Sequence, residues 1–191
     1  VDEQTIAALE RVKASGRRLL LVTGRELPDL KRVFDRLDLF DVVVAENGSL
    51  LYFPATQEER PVAAAPPPEL VAALQAHGVQ PLSVGRGIIA TWHPNEATVL
   101  ECIRDLGLEW QIIFNKGAVM VLPPGVNKAT GLSAALDGKR PAHGRPPARG
   151  HGSPIGRRSG VRGVVMRPAD GRRHVVIVGG GPAGLGAAVY A

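Results

Sequence analysis

The apolar run Leu19-Leu20-Leu21-Val22 stops on Thr23-Gly24-Arg25, just before a helix-patterned segment. A hydroxyl and closely approachable backbone amides at the end of a buried strand are groups that grip a phosphoryl oxygen. About a hundred residues later Lys128 opens another helical segment, within Gly125-Val126-Asn127-Lys128-Ala129-Thr130-Gly131. A parallel sheet lines up strand ends and helix starts along one edge, so a hydroxyl and an ammonium far apart in sequence can meet there on one anion. The two segments read as the two halves of a phosphate site. Plainer roles exist for the same residues: Thr23 as a helix cap, Arg25 in an interstrand salt bridge, Lys128 solvated.

The elements that must hold these groups alternate. Ile6, Leu9 and Val12 share one face of a helix that Asp2 can cap and Gly16 can stop, and a strand follows over residues 18–22. The next helix has Pro28 in its first turn and Leu30, Val33, Phe34 and Leu37 inward. Val42-Val43-Val44 is a short buried strand ending in Glu46-Asn47-Gly48, with a hairpin partner over residues 50–53. Helix, strand, helix, strand in this order implies parallel strands and a doubly wound α/β sheet. Prolines 54, 61, 66, 67 and 68 then mark an exit into an inserted module. That insert reads as α+β, with a helix over 69–76, strands around 82–84 and 87–92, and a helix capped by Asn95. A hairpin over 110–115 and 118–122 turns on Lys116-Gly117. The predicted domains are an incomplete core over 1–53 and 123–136 with a cap over 54–122. Trp92, Trp110, Gln111 and Lys116 of the cap suit ligand contacts and core or rim positions equally.

Composition narrows the class. Residues are 45% hydrophobic and 21% charged, as in a globular chain, and no apolar run approaches a membrane span. A cytoplasmic setting without membrane partners is the expectation. The chain starts at Val1, so no targeting peptide can be read and the true start is open. The single cysteine, Cys102, excludes an internal disulfide and a Cys-based zinc site; it shares a helical face with Val99, Ile103 and Leu106 as a buried small hydrophobe. The five histidines are scattered without acidic partners, which predicts surface or turn positions. Net charge is +5, but residues 1–136 carry −3 and residues 137–191 carry +8. Residues 137–172 are rich in Arg, Gly and Pro and lack aromatics, the composition of a disordered linker. Clustered arginines can bind nucleic acid, yet without stacking aromatics that partner is not expected.

The order Val-Thr-Gly-Arg at 22–25, Glu-Asn-Gly at 46–48, an α+β insert, then Gly-Val-Asn-Lys-Ala-Thr-Gly at 125–131 resembles the haloacid dehalogenase superfamily of phosphohydrolases. The likeness is to its branch with an α/β cap between the second and third motifs, the Cof-type and sugar-phosphatase relatives, and it covers residues 1 to about 136. The resemblance implies a Rossmann-like core, a small phosphorylated substrate and hydrolysis of a phosphate monoester through an aspartyl-phosphate with Mg2+. It assigns catalytic roles to Thr23 and Lys128 and substrate-binding roles to Gly24, Arg25 and Asn47. The family's Asp-x-Asp-Gly-Thr nucleophile motif would precede Val1, and its Gly-Asp-x-x-x-Asp metal motif would fall where the arginine-rich run stands, with only Asp137 and Asp170 for acids. The expectation is therefore a fragment without metal ligands and without phosphatase turnover. The nucleotide sequence at codon 136 would tell a frameshift from a real fusion.

A second motif closes the chain. His174-Val175-Val176-Ile177-Val178 reads as a strand, followed by Gly179-Gly180-Gly181-Pro182-Ala183-Gly184 and a helix of small residues. This is a G-x-G-x-x-G turn in strand-to-helix context. It resembles the FAD-binding start of the pyridine-nucleotide-disulfide oxidoreductases, thioredoxin reductase relatives included. The resemblance assigns Gly179, Gly181 and Gly184 to FAD or NAD(P) binding, within a truncated strand-turn-helix unit over 173–191. Two alternative functions follow: the amino-terminal part of a flavin-dependent oxidoreductase, or a non-catalytic binding module.

Overall fold

Two sheets, each with its own helices, organise the molecule; the computed structural model describes residues 1–137 and the backbone of residues 175–178. Asp2 starts helix α1 (Glu3–Ala14) by accepting the Thr5 N–H at 2.7 Å, and Gly16, at φ 77°, ends it. Strand β1 (Leu19–Val22) is buried throughout, as is β2 (Val42–Ala45) beyond helix α2 (Leu27–Val33). β1 and β2 pair in parallel, so both faces of each must be covered and both read as unbroken apolar runs. Strands β3 (Leu50–Phe53) and β4 (Glu58–Pro61) return antiparallel at one edge.

The insert, called the cap after its expected role, carries helix α3 (Pro68–Ala76), strands β5 (Ser83–Val84) and β6 (Ile89–Trp92), helix α4 (Glu96–Asp105), and strands β7 (Gln111–Asn115) and β8 (Ala118–Leu122). Its sheet is antiparallel in the order β5-β6-β8-β7. Lys116 and Gly117, at φ 49° and 86°, make the β7–β8 turn. Helix α5 (Lys128–Asp137) brings the chain back to the core, and β9 (Val175–Val178) pairs in parallel with the free side of β1. The core sheet thus runs β4-β3-β2-β1-β9.

Alternation along β1 sorts side chains to two layers. Leu19 and Leu21 join Leu9, Leu27, Leu30 and Val43 under α1 and α2, whereas Leu20 and Val22 join Val42, Val44, Leu132 and Ala135 under α5. Helices on both faces make the doubly wound arrangement. In the cap, α3 and α4 cover one sheet face through Leu70, Leu74, Val99, Cys102 and Ile103 on Ile89, Val119 and Val121. The opposite face bears Ile88, Met120 and Leu122 and is turned to the core.

Several expectations need correction. β4 belongs to the core sheet, so the chain leaves the core after Pro61 rather than after Phe53; backbone pairing to β3 holds this polar strand, which has no apolar alternation to announce it. α2 stops at Val33, and Val33 is 44% exposed instead of inward, because the chain unwinds at Phe34 (φ −149°). Asn95 begins α4, but its amide donates to the Gln80 carbonyl and Thr91 Oγ1, both at 3.0 Å, rather than capping with its side chain. His93 does have an acidic partner, Glu96, at 2.7 Å. Cys102 is buried, as expected. Asp137, expected to begin the linker, ends α5; the remainder of that linker lies outside the described residues, as do Gly179, Gly181 and Gly184.

Candidate functional site

The cleft between core and cap is a cavity of about 820 Å³. On the core side it is lined by Thr23, Gly24, Arg25, Glu26 and the first turns of α2, with Lys128 at the start of α5. On the cap side it meets Pro81, Leu82, Ser83, Ile88, Ala90, Trp92, Asn115, Ala118 and Met120. That volume is within the range of small-molecule sites.

Thr23 stands at the carboxyl end of β1 and is 5% exposed. Its Oγ1 accepts the Arg25 N–H at 3.1 Å, which leaves the hydroxyl proton to donate to an anion. Gly24 follows with its α-carbon bare; a Cβ there would lie 3.8 Å from Asn47 Oδ1, 3.9 Å from Met120 Sδ and 4.0 Å from Lys128 Cε. Core, cap and α5 therefore converge on Gly24. Lys128 is half-buried, and burial alone pushes its pKa down. Among the described residues no carboxylate pairs with it, so an anion entering the cleft would supply the missing countercharge.

α5 does not offer an open helix end. Asn127 Oδ1 accepts the N–H groups of Ala129 at 2.9 Å and Thr130 at 3.1 Å, while Thr130 Oγ1 accepts the Asn127 N–H at 3.0 Å. This reciprocal cap satisfies those amides internally. The helix therefore serves the site through the Lys128 side chain.

Arg25 and Arg32 share Asp29. Arg25 reaches it from four residues earlier, and Arg32 Nη2 stands 2.6 Å from Oδ1. Burial works against ionisation of Asp29, but the two guanidiniums outweigh it and hold the carboxyl below its ordinary value. Asn47, expected as a substrate contact at the mouth, lies behind Gly24 instead: it is 7% exposed, adopts φ 56°, and its N–H donates to the Thr23 carbonyl at 3.1 Å. It braces the loop from beneath and is not among the cavity-lining residues.

Glu46 is the residue that motif reading passed over. It is 1% exposed, and its Oε2 accepts the Gly87 N–H of the cap at 2.9 Å. Burial raises its pKa, with neighbouring Glu26 adding to the rise, against the lowering effect of the Gly87, Arg86 and Ser49 donors. Among cap candidates, Trp92 does line the cleft, 44% exposed, with its ring close over Gly117. Trp110 packs on the cap core, and Gln111 Nε2 ties down the returning strand through the Pro123 and Val126 carbonyls at 3.0 and 2.8 Å. Lys116 forms the hairpin turn.

Mg2+ finds no ligand set here. Among the described residues no group of three or more His, Cys, Asp or Glu is placed to hold a metal ion. The acids nearest the corner are committed elsewhere: Glu26 to Ser83 Oγ at 2.7 Å, Asp29 to two arginines and Glu46 to Gly87. The described residues do not fit the ion. No helix among them is long and apolar enough to cross a membrane.

A doubly wound core with an α+β insert, and a hydroxyl, a glycine and a half-buried lysine facing one cleft, define a class. Residues 1–81 match the family of haloacid dehalogenase-like hydrolases, so the amino-terminal part of the chain is haloacid dehalogenase-like in sequence. Solved structures share the fold. A haloacid dehalogenase-like hydrolase from Bacteroides thetaiotaomicron superposes with a TM-score of 0.56 at 14% identity, over 72% of this chain and 70% of that one. A sugar phosphatase of haloacid dehalogenase subclass IIB gives 0.51 at 19% identity, over 72% and 68%. A member of a phosphoryl-transfer superfamily whose structures show a trigonal-bipyramidal intermediate gives 0.52 at 16%, over 72% and 68%. No curated protein matches the chain.

Proposed function

We propose that this chain is of the haloacid dehalogenase phosphohydrolase type and that its core–cap cleft binds phosphate monoesters, with sugar phosphates as the substrate class. The observation that carries the reading is the meeting of Thr23, Gly24 and the half-buried Lys128, which pairs with no carboxylate among the described residues, at one corner of the core–cap cleft. The phosphoryl group sits there. Thr23 donates its hydroxyl, the Gly24 backbone lets the group approach, and the Lys128 ammonium offsets its charge in a site of low effective dielectric. Such positioning is most of what phosphoryl transfer asks of a protein.

The leaving group extends toward the cap. In-register Ala90 with Met120 and Trp92 with Ala118 form an apolar platform, and Asn115, opposite Ala118, adds an amide at its Trp92 end. A sugar ring presents a C–H face to such an indole and hydroxyls to an amide. Arg25, set by Asp29, faces the platform from the core wall. The described residues account for binding and orientation of the ester. Glu26, Asp29 and Glu46 each hold a protein donor, Ser83 Oγ, Arg25 and the Gly87 N–H in turn, and are given no part in the reading.

Titration of the full chain with inorganic phosphate and with a hexose phosphate, read by tryptophan fluorescence and calorimetry, tests the reading. Saturable binding of both, weakened about tenfold or more by Lys128→Ala and by Thr23→Ala, is expected. Absence of binding, or binding indifferent to both substitutions, would overturn it.

A further inference from the structure

Glu46 is a charged side chain buried in the seam between core and cap, and nothing in the phosphate site uses it. Its backbone belongs to the core: its N–H donates to the Arg25 carbonyl at 2.9 Å, and the next residue, Asn47, donates to the Thr23 carbonyl at 3.1 Å. The Glu46-Asn47-Gly48 turn is thereby sewn to the Thr23-Gly24-Arg25 loop. Its carboxylate points the other way, into the cap, where the backbone donors of Arg86 and Gly87 receive it.

The cap has been shaped around that carboxylate. A Cβ on Gly85 would lie 2.7 Å from Glu46 Oε2 and 2.8 Å from Oε1, and a Cβ on Gly87 would lie 2.6 Å from Ser49 Cβ. Neither position has room for a side chain. Successive N–H groups of a glycine-bounded turn form a concave seat for an anion, and here the anion is a side chain of the neighbouring domain. Two exposed contacts flank the seat, Ser83 Oγ to Glu26 at 2.7 Å and Arg86 Nε to Glu59 at 2.9 Å. Exposed pairs of this kind contribute little. The buried carboxylate is the strong point, because hydrogen bonds to an ionised group shielded from water are roughly twice as strong as neutral ones.

We propose that Glu46 is a positioning residue that latches the cap to the core. Two stretches of backbone, residues 62–67 and 123–127, already connect the two units. A third, noncovalent attachment at Gly85-Arg86-Gly87 fixes the remaining freedom between them. β6 starts two residues beyond Gly87, so the latch sets where Ala90 and Trp92 stand on the cleft wall. Release of the carboxylate lets the 83–88 hairpin lift and the cleft open. This inference goes beyond the phosphohydrolase reading and does not need it.

Hydrogen exchange of the full chain, followed by mass spectrometry, tests the latch from both partners. Glu46→Gln keeps the shape but can turn an amide N–H2 toward the Arg86 and Gly87 donors; Gly85→Ala fills the seat from the cap side. Both are expected to speed exchange of amides in 85–92 by about tenfold or more while strands 19–22 and 42–45 keep their parental protection. Parental exchange of 85–92 in both variants would overturn the latch. Equal acceleration in the core strands would also overturn it, since Glu46 would then serve global stability rather than cap position. Inorganic phosphate titrated in parallel on the parent chain reports on the phosphate site alone, so failure of the latch and failure of the site are separable.

Discussion

Gly131→Ala sets two known effects against each other. In a helix interior alanine is favoured over glycine by about 1 kcal/mol, so on propensity alone the substitution stabilises α5. Packing opposes it. A Cβ at residue 131 would lie 2.5 Å from Gly48 Cα, 2.6 Å from the Gly48 carbonyl oxygen and 2.7 Å from Val44 Cγ1. Two of those three atoms are backbone, and the Gly48 turn has little room to retreat: at φ 106° it is packed so close to α5 that a Cβ on Gly48 would lie 2.0 Å from the Asn127 carbonyl oxygen. Relief needs a shift of α5 by about 1 Å, and overpacking of this kind costs about 1–3 kcal/mol, occasionally more. Three contacts under 3 Å, two of them with backbone, put the cost in the upper part of that range, about 2–3 kcal/mol, so the net expectation is a loss of about 1–2 kcal/mol, or about 2–8 °C in Tm for a chain of this size. Lys128 begins α5, so the same shift withdraws the ammonium from Gly24 and weakens inorganic phosphate by about tenfold. Thermal and urea unfolding by circular dichroism, with phosphate calorimetry on the same samples, measures both. Ser133→Ala on the same helix serves as the control and should gain a few tenths of a kcal/mol. A Gly131→Ala chain as stable as the parent or more so would refute the close seating of α5 on the Glu46–Gly48 turn.

Three further outcomes are expected. Burial lowers the Lys128 pKa, so the folded chain gives up that proton below 10.5 while the unfolded chain still holds it. Stability therefore rises with pH between the two values, and phosphate affinity falls over the same span; Lys128→Met should abolish both trends in pH-resolved denaturation and calorimetry. Glu46 behaves in the opposite sense: burial raises its pKa, the folded chain keeps the proton longer, and stability declines as pH climbs from the ordinary value of 4.5 to the raised one. Glu46→Gln should flatten that decline in urea titrations across the acid range. Trp92→Ala should weaken a hexose phosphate about three- to tenfold and leave inorganic phosphate unchanged, since the indole faces the leaving group and not the Thr23 corner.

Local chemistry was legible where it depends on near neighbours. Asp2 and Gly16 announce the ends of α1, Leu19–Val22 and Val42–Ala45 announce buried parallel strands, and Lys116-Gly117 announces a hairpin turn. The candidates Thr23 and Lys128 were also visible as strand-end and helix-start residues of suitable type. β4 was not, because Glu58-Glu59-Arg60-Pro61 is an exposed edge strand held by backbone bonds to β3, and edge strands need no apolar period. Asn47 pointed to a ligand by its motif, yet its left-handed backbone turns it beneath Gly24.

The amino-acid sequence by itself determined the alternation of helix and strand, the insertion of an α+β module between the Thr23 strand end and the Lys128 helix start, and the charge asymmetry along the chain, since periodicity, capping and turn chemistry act over a few residues. Only the tertiary structure decided that Lys128 reaches Gly24 half-buried and, among the described residues, without a carboxylate partner, that Asn127 closes the helix end, and that Glu46 seats in the Gly85-Arg86-Gly87 turn. Those facts depend on which surfaces are shut away from water, and burial of a charge is a property of the packed molecule rather than of any segment.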